Sequence, residues 1–161
     1  MIIDMEHHFY TADKWLLSGT SERKIDRGWT WTSDGDAARE RGPALRVGDH
    51  LEFMDRSGID MAVLTTNMAH DLDRVKSLTD ACAKVVKQYP KRFIGFAPVM
   101  PLGGKPALDE MERAVKDLGM KGVPINCRPN RKHMDAKEMW PFYEKANARQ
   151  WRSAGIATCV Q

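Results

Sequence analysis

Cysteine is scarce in this sequence, and its placement follows no pattern. The three cysteines, Cys82, Cys127 and Cys159, are odd in number, widely spaced and never arranged as a CxxC pair. This spacing argues against a zinc ribbon and against a disulfide-stapled fold. Reduced thiols are the rule in the cytoplasm, so we expect a cytoplasmic protein.

Long hydrophobic runs and a strong charge of either sign are also missing. No stretch approaches the ~20 apolar residues of a membrane helix, and the first residues include Asp4 and Glu6 where a signal peptide would be basic and then apolar. We therefore predict no membrane partner. The formal net charge is +3, and the densest basic cluster is RPNRK at 128–132. We interpret that cluster as a solvated surface and predict no nucleic-acid partner.

Glycine-rich phosphate-binding motifs are absent as well. Neither GxGxxG nor GxxxxGK[ST] follows any apolar run, which disfavours nucleotide binding. What the sequence does have is 161 residues, of which 42% are hydrophobic and 29% charged. That length and composition suit a single globular domain over residues 1–161 with one core.

Predicted strands and helices alternate along most of the chain. Apolar runs bounded by turn residues predict strands, and apolar residues at helical spacing predict helices. Pro124 is awkward in the fourth strand, because proline cannot donate to a sheet ladder. The predicted strands are residues 1–5, 59–66, 92–99 and 120–126, and the predicted helices are residues 45–56, 71–89, 106–119 and 135–149, the last interrupted near Pro141.

This alternation is typical of parallel βαβ units, so the predicted class is α/β. Either a doubly wound sheet or part of a (β/α)8 barrel would fit. Residues 10–42 follow neither period, and a connection of that length is usually functional or disordered. We expect its tryptophans, Trp15, Trp29 and Trp31, to anchor it by packing, with lining of a substrate site as the alternative.

The first ten residues, MIIDMEHHFY, place acids and histidines at the end of the first predicted strand. Residues i and i+2 of a strand point to the same side, so Glu6 and His8 are predicted to share one side and His7 to face the other. A carboxylate and an imidazole side by side can bind a divalent cation such as zinc or manganese. The alternative on these residues alone is a polar strand end without a metal.

Other candidate site residues are weaker. His70 follows the second predicted strand and Cys127 the fourth, so in a barrel both would lie near the mouth that holds the active site. A loop histidine and an inert thiol are the simpler interpretations, since Cys127 has no evident base partner. His50 lies within a predicted helix and His133 in a basic loop, and we expect both at the surface.

The stretch MIIDMEHHF resembles the first-strand motif of the amidohydrolase superfamily, Asp-x-His-x-His. It is most similar to the decarboxylase branch that contains γ-resorcylate decarboxylase and aminocarboxymuconate-semialdehyde decarboxylase, some members of which have Glu in place of the first His. The resemblance covers residues 1–8 and 45–148. It is also carried by HLEFMDRSGIDMAVLTT (50–66), YPKRFIGFAPVMPLGGKPALDEMERAVKDLGMKGVPIN (89–126) and MDAKEMWPFYEKAN (134–147).

The resemblance implies the N-terminal half of a (β/α)8 TIM-type barrel with about four to five parallel strands. It also implies metal-dependent decarboxylase or hydrolase chemistry on a small carboxylated or aromatic substrate. Glu6 and His8 match the first two metal-ligand positions, and Asp4 matches a structural aspartate. The metal would be zinc or manganese. The family's other site residues follow later strands, so catalytic residues stay unassigned.

Such a barrel usually needs ~250 residues, and the resemblance stops near Arg149. Residues 150–161 are divergent, although GIATCV within them is able to form a short strand. We therefore expect a truncated domain whose open sheet edges favour association into a homo-oligomer. The alternative is a catalytically inactive fragment that serves only in binding or assembly, or that has no function.

Overall fold

The computed structural model describes residues 1–8, 47–65, 71–126, 129–147 and 157–158, with the backbone alone for residues 8, 49, 126, 157 and 158. The predicted tryptophan-containing connection at 10–42 lies outside these ranges. Strands β1 to β5 are Ile3–His8, Met61–Thr65, Phe93–Gly95, Ile125–Asn126 and Ala157–Thr158; helices α1 to α4 are Val47–Ser57, Leu72–Gln88, Gly104–Lys116 and Trp140–Asn147.

The strands form two parallel groups, which confirms the predicted α/β class. One sheet has the order β1-β2-β3, and β4 pairs with β5. A single parallel bridge between Phe96 and Gly122 joins β3 to the segment that precedes β4. The predicted short strand in the divergent segment is present as β5, with Ala157 opposite Ile125.

β1 begins and ends later than predicted, so the whole motif Asp4 to His8 lies within the strand. Polar residues can continue a strand because the backbone makes the ladder hydrogen bonds. The pairing of β1 with β2 continues to His8, which lies opposite Thr65. At the other end, the Asp60 carboxylate accepts the Ile2 amide over 2.5 Å. This contact fixes where β1 enters the sheet.

The helices are close to their predicted bounds because local signals define their ends. The Asp71 carboxylate accepts the Arg74 amide over 3.0 Å and caps α2. Gly58 follows α1 and Gly119 follows α3, both with positive φ, a conformation that glycine adopts without strain. α4 differs from its prediction, since it begins at Trp140 with Pro141 in its first turn, where proline is tolerated. A 3-10 turn, Lys137–Met139, precedes it.

The fourth predicted strand is reduced to two residues. Ahead of it, the Ala97 amide donates to the Gly122 carbonyl over 2.8 Å, but Pro124 has no amide hydrogen with which to extend the ladder. Gly122 is packed directly against Phe96: a Cβ built on Gly122 would lie 2.8–3.0 Å from three atoms of that ring. No larger residue fits there without moving the ring.

Helices and strands enclose one main core in which methionine is prominent. Unbranched thioether side chains fill irregular gaps between the strands and the covering helices. Cys82 lies in this core as a free thiol, while the other two cysteines lie outside the described residues. The buried members are Met54, Ala62, Leu64, Cys82, Val85, Phe93, Ala97, Val99, Met111, Ala114, Met120, Val123, Ile125, Met139 and Phe142.

Helices α2 and α3 are joined by an ion-pair group that we call the helix cluster, formed by Asp80, Glu110 and Arg113. The Arg113 guanidinium contacts both Glu110 carboxylate oxygens at 2.8 Å and Asp80 Oδ1 at 2.8 Å. The Glu110 side chain is 3% exposed and that of Asp80 is 50% exposed. These carboxylates raise the pKa of Arg113, so the guanidinium stays charged.

No helix in the described part of the chain combines the length and the apolar character required to cross a membrane.

Candidate metal site

The candidate site lies at the carboxyl ends of β1 and β2, where His8 pairs with Thr65. Thr65 is buried, and its hydroxyl donates to the His7 carbonyl over 3.5 Å. The carboxyl ends of parallel strands are where α/β folds assemble their active sites, because side chains from successive strands converge there. The motif predicted from the sequence therefore lies at the carboxyl-end edge of the sheet, where its side chains are candidates for a site.

His7 is buried, at 6% exposed. Its Nδ1 lies 2.8 Å from Asp4 Oδ2, and its Nε2 lies 2.6 Å from Nδ1 of His50 on α1. The two imidazole rings meet edge to face, with centroids 4.7 Å apart. We call Asp4, His7 and His50 the strand-end cluster.

The expectation of a surface position for His50 is wrong. His50 is 4% exposed, because its face of α1 packs towards β1. A signal for this position is present in the sequence: His50 precedes Met54 by four residues and therefore shares a helix face with a fully buried side chain. His133, in contrast, is exposed as expected.

Both ring nitrogens of His7 are engaged within the strand-end cluster. A carboxylate accepts hydrogen bonds, so His7 Nδ1 carries the hydrogen that it donates to Asp4. In a neutral ring Nε2 is then the acceptor, and His50 Nδ1 is its donor. His7 would have to break one of these bonds to bind a cation, which leaves Glu6 and His8 as the ligand candidates of the motif.

Glu6 is exposed at the strand end, and its backbone amide donates to Asp4 Oδ1 over 3.1 Å. The structure describes only the backbone of His8, and His70 and Cys127 lie outside the described residues. A carboxylate oxygen and an imidazole nitrogen are suitable ligands for Mn²⁺ or Zn²⁺, so the donor chemistry of the pair fits a divalent cation. Among the described side chains, no group of three or more His, Cys, Asp or Glu is arranged to hold a metal ion.

Comparison with known proteins connects this geometry to a family. A family profile described as amidohydrolase matches residues 3–152. The chain is 26% identical over 152 residues to 2-amino-3-carboxymuconate-6-semialdehyde decarboxylase of Dictyostelium discoideum, covering 89% of this chain and 38% of the relative. It is 27% identical over 162 positions to gamma-resorcylate decarboxylase of Polaromonas sp. JS666, covering 91% of this chain and 47% of the relative.

The fold is shared with a solved decarboxylase structure. Dihydroxybenzoic acid decarboxylase from Polaromonas sp. JS666, solved with bound manganese and the inhibitor 2-nitroresorcinol, superimposes with a TM-score of 0.66 at 28% identity. The match covers 91% of this chain and 46% of that chain. The chain thus spans less than half the length of each of these three relatives.

Proposed function

Because the chain belongs to the amidohydrolase family, we propose that it supplies Glu6 and His8 as ligands in the divalent-metal site of a decarboxylase acting on a small aromatic or carboxylated substrate. The observation that carries this proposal is the position of the motif at the carboxyl end of β1, with the intervening His7 fully occupied by Asp4 and His50. The names of the relatives support the choice of decarboxylation.

Manganese is the first candidate for the metal, since a related decarboxylase was solved with it, and zinc is the second. Glu6 and His8 would hold the cation with one oxygen and one nitrogen donor. A bound divalent cation would neutralise charge on substrate oxygens and polarise them. Asp4 accepts the backbone amide of Glu6, and His50 occupies Nε2 of His7, so His7 would not be a ligand of the cation.

Decarboxylation breaks the carbon–carbon bond between the substrate and its carboxylate. Carbon dioxide leaves, and the electron pair of the broken bond stays on the substrate carbon, which then takes a proton. Hydrolysis is the sister chemistry on such a scaffold, and the fold by itself does not choose between them. The decarboxylase relatives favour the lyase reaction.

A catalytically inactive binding or assembly subunit is the second candidate function. The decarboxylase names belong to two curated relatives of which this chain spans 38% and 47%, so this second candidate stays beside the first. A catalytic zinc site normally has three protein ligands, of which Glu6 and His8 would be two. For either candidate function, we propose a cytoplasmic location and a homo-oligomer formed through open sheet edges.

Manganese binding by the full chain tests the proposed ligands. The electron paramagnetic resonance signal of free Mn²⁺ falls as the ion binds, which gives a dissociation constant without any substrate. We expect Glu6→Gln and His8→Gln each to weaken binding by about tenfold or more. Replacing a residue that only hydrogen-bonds to a metal ligand already lowers metal affinity by about that factor. His133→Gln, an exposed histidine elsewhere, is the matched control and should leave binding unchanged.

A chain that binds no Mn²⁺ and no Zn²⁺, or one whose binding is insensitive to both ligand variants, would overturn the metal-site proposal. Release of carbon dioxide from 2,6-dihydroxybenzoate then separates the two candidate functions. Metal-dependent release favours the decarboxylase. Metal binding without release favours the inactive subunit.

A further inference from the structure

β1 contains a bulge in the middle of the candidate motif. Asp4 lies opposite Ala62 and His7 lies opposite Leu64, so the two residues between Asp4 and His7 face only Val63 on β2. Glu6 is one of these two residues. A bulge interrupts the ladder and redirects the side chains on either side of it, which is why bulges are common next to active sites.

The Asp4 carboxylate bridges this bulge. Its Oδ1 accepts the backbone amide of Glu6 over 3.1 Å, and its Oδ2 accepts Nδ1 of His7 over 2.8 Å. In a regular strand, residues i and i+3 point to opposite sides, so the contact between Asp4 and His7 depends on the bulge. One side chain thus sets both the backbone of Glu6 and the ring of His7.

His50 connects this arrangement to helix α1. Its Nδ1 lies 2.6 Å from Nε2 of His7, and both rings are almost fully buried. The hydrogen bonds therefore run without interruption from α1 through His50, His7 and Asp4 to the amide of Glu6. A helix packed beside the sheet is in this way joined to the conformation of a single strand residue.

We propose that Asp4 and His50 are positioning residues that set the backbone of Glu6 in the conformation needed to bind the cation. This inference rests on the proposed function, in which Glu6 is a metal ligand. Neither positioning residue contacts the cation. Their effect is on affinity, because a ligand held in place before binding loses less conformational freedom when the cation arrives.

The first test measures Mn²⁺ affinity of the full chain by electron paramagnetic resonance. We expect Asp4→Ala and His50→Leu each to weaken binding by about tenfold. His50→Asn should recover part of the loss, because its side-chain amide nitrogen takes the place of Nδ1 and can still donate to Nε2 of His7. Phe142→Leu, a core variant on α4, controls for lost stability and should leave affinity within about twofold.

The second test needs no metal. The Glu6 amide should exchange with solvent about tenfold faster in Asp4→Ala than in the wild-type chain, because it loses its acceptor. The amide of Ala62, which donates to the Arg92 carbonyl over 2.8 Å, serves as the internal control and should keep its rate. Two-dimensional NMR of the exchanging protein reports both amides in one experiment.

The outcomes separate this inference from the function on which it rests. Wild-type binding that Asp4→Ala and His50→Leu leave intact would overturn the positioning role while the metal site stands. An unchanged exchange rate of the Glu6 amide in Asp4→Ala would also overturn it, whatever the metal affinity. A wild-type chain that binds neither Mn²⁺ nor Zn²⁺ would remove the proposed function and the positioning role together.

Discussion

The strand-end cluster and the helix cluster both place acids beside nitrogen donors, yet their hydrogen bonds are organised differently. In the helix cluster a guanidinium contacts both oxygens of one carboxylate and reaches a second carboxylate, so opposite charges meet directly between two helices. In the strand-end cluster two imidazoles and one carboxylate form a chain that leads to a backbone amide at the end of β1.

A cluster of charged side chains in a partly buried position is therefore not by itself evidence of a functional site. The helix cluster has the geometry of a structural tie between α2 and α3. The strand-end cluster lies where the parallel strands β1 and β2 end, and its hydrogen bonds reach the backbone of Glu6, the proposed metal ligand. Variants that separate stability from metal affinity test whether the two clusters differ in this way.

The largest effect on stability is expected from Arg113→Met. Removing the guanidinium leaves the Glu110 carboxylate, 3% exposed, without its bidentate partner, which should cost about 3 kcal/mol of unfolding free energy. Asp80→Asn is the matched control and should cost below ~1 kcal/mol, because Asp80 is half exposed. Urea unfolding measures both. A fall in Mn²⁺ affinity in Arg113→Met would show that the helix cluster also affects metal binding, contrary to the difference described above.

An intermediate effect is expected from His50→Leu. The substitution keeps an apolar side chain of similar size on α1 but leaves the buried Nε2 of His7 without a donor, at a cost of about 2 kcal/mol. Unlike Arg113→Met, this variant should lose metal affinity together with stability. Thermal unfolding in the absence of metal gives the stability. Unchanged stability would mean that the bond between the two histidines contributes nothing to the fold.

A smaller effect is expected at the start of α2, close to the same sheet edge. Asp71→Ala removes the cap on the Arg74 amide and should cost about 1 kcal/mol, whereas Asp71→Ser should be nearly neutral. Urea unfolding distinguishes the two. Because the cap has no hydrogen bond to the strand-end cluster among its described contacts, Mn²⁺ affinity should stay constant. If Asp71→Ala lowered Mn²⁺ affinity as well as stability, the positioning role would extend to the first turn of α2.

The smallest effect is expected at the opposite end of the sheet and depends on pH. The Ile2 amide holds the pKa of the exposed Asp60 carboxyl below its ordinary value. A lowered folded-state pKa adds stability above the ordinary value, and this stability is lost as pH falls through the folded-state value. The stability gap between wild type and Asp60→Asn should therefore be constant near neutral pH and shrink below about pH 4. A stability difference between wild type and Asp60→Asn that stayed unchanged down to pH 2 would contradict a lowered pKa of Asp60.

The helices could be predicted from the sequence because their signals are local. Asp71 caps α2, Gly119 follows α3 with positive φ, and the apolar residues Val75, Leu78, Cys82 and Val85, which recur at helical spacing in α2, are buried. The strands were harder, because their length depends on distant partners. Residues 120–126 read as one strand, yet only Ile125–Asn126 pairs as a strand, since Pro124 interrupts the ladder.

The candidate site was predictable in its location but not in its internal geometry. The motif at the end of β1 predicted polar residues at the carboxyl edge of the sheet, and they lie there. Simple alternation assigns residues to faces only in a regular strand, so the bulge between Asp4 and His7 could not be read from the spacing. The assignment of Glu6 and His8 as ligands stays a prediction.

Gly122 offers a direct probe of how the two parallel groups are joined. A Cβ built on Gly122 would lie 2.8, 2.8 and 3.0 Å from three atoms of the Phe96 ring. Because these distances are nearly equal, the bond from Cα towards that Cβ points at the face of the ring. The α-hydrogen that takes the place of a side chain is therefore held in the shielding zone of the aromatic ring current. Its proton resonance should be displaced far upfield, giving a single isolated signal that reports whether β3 and the segment before β4 are in contact.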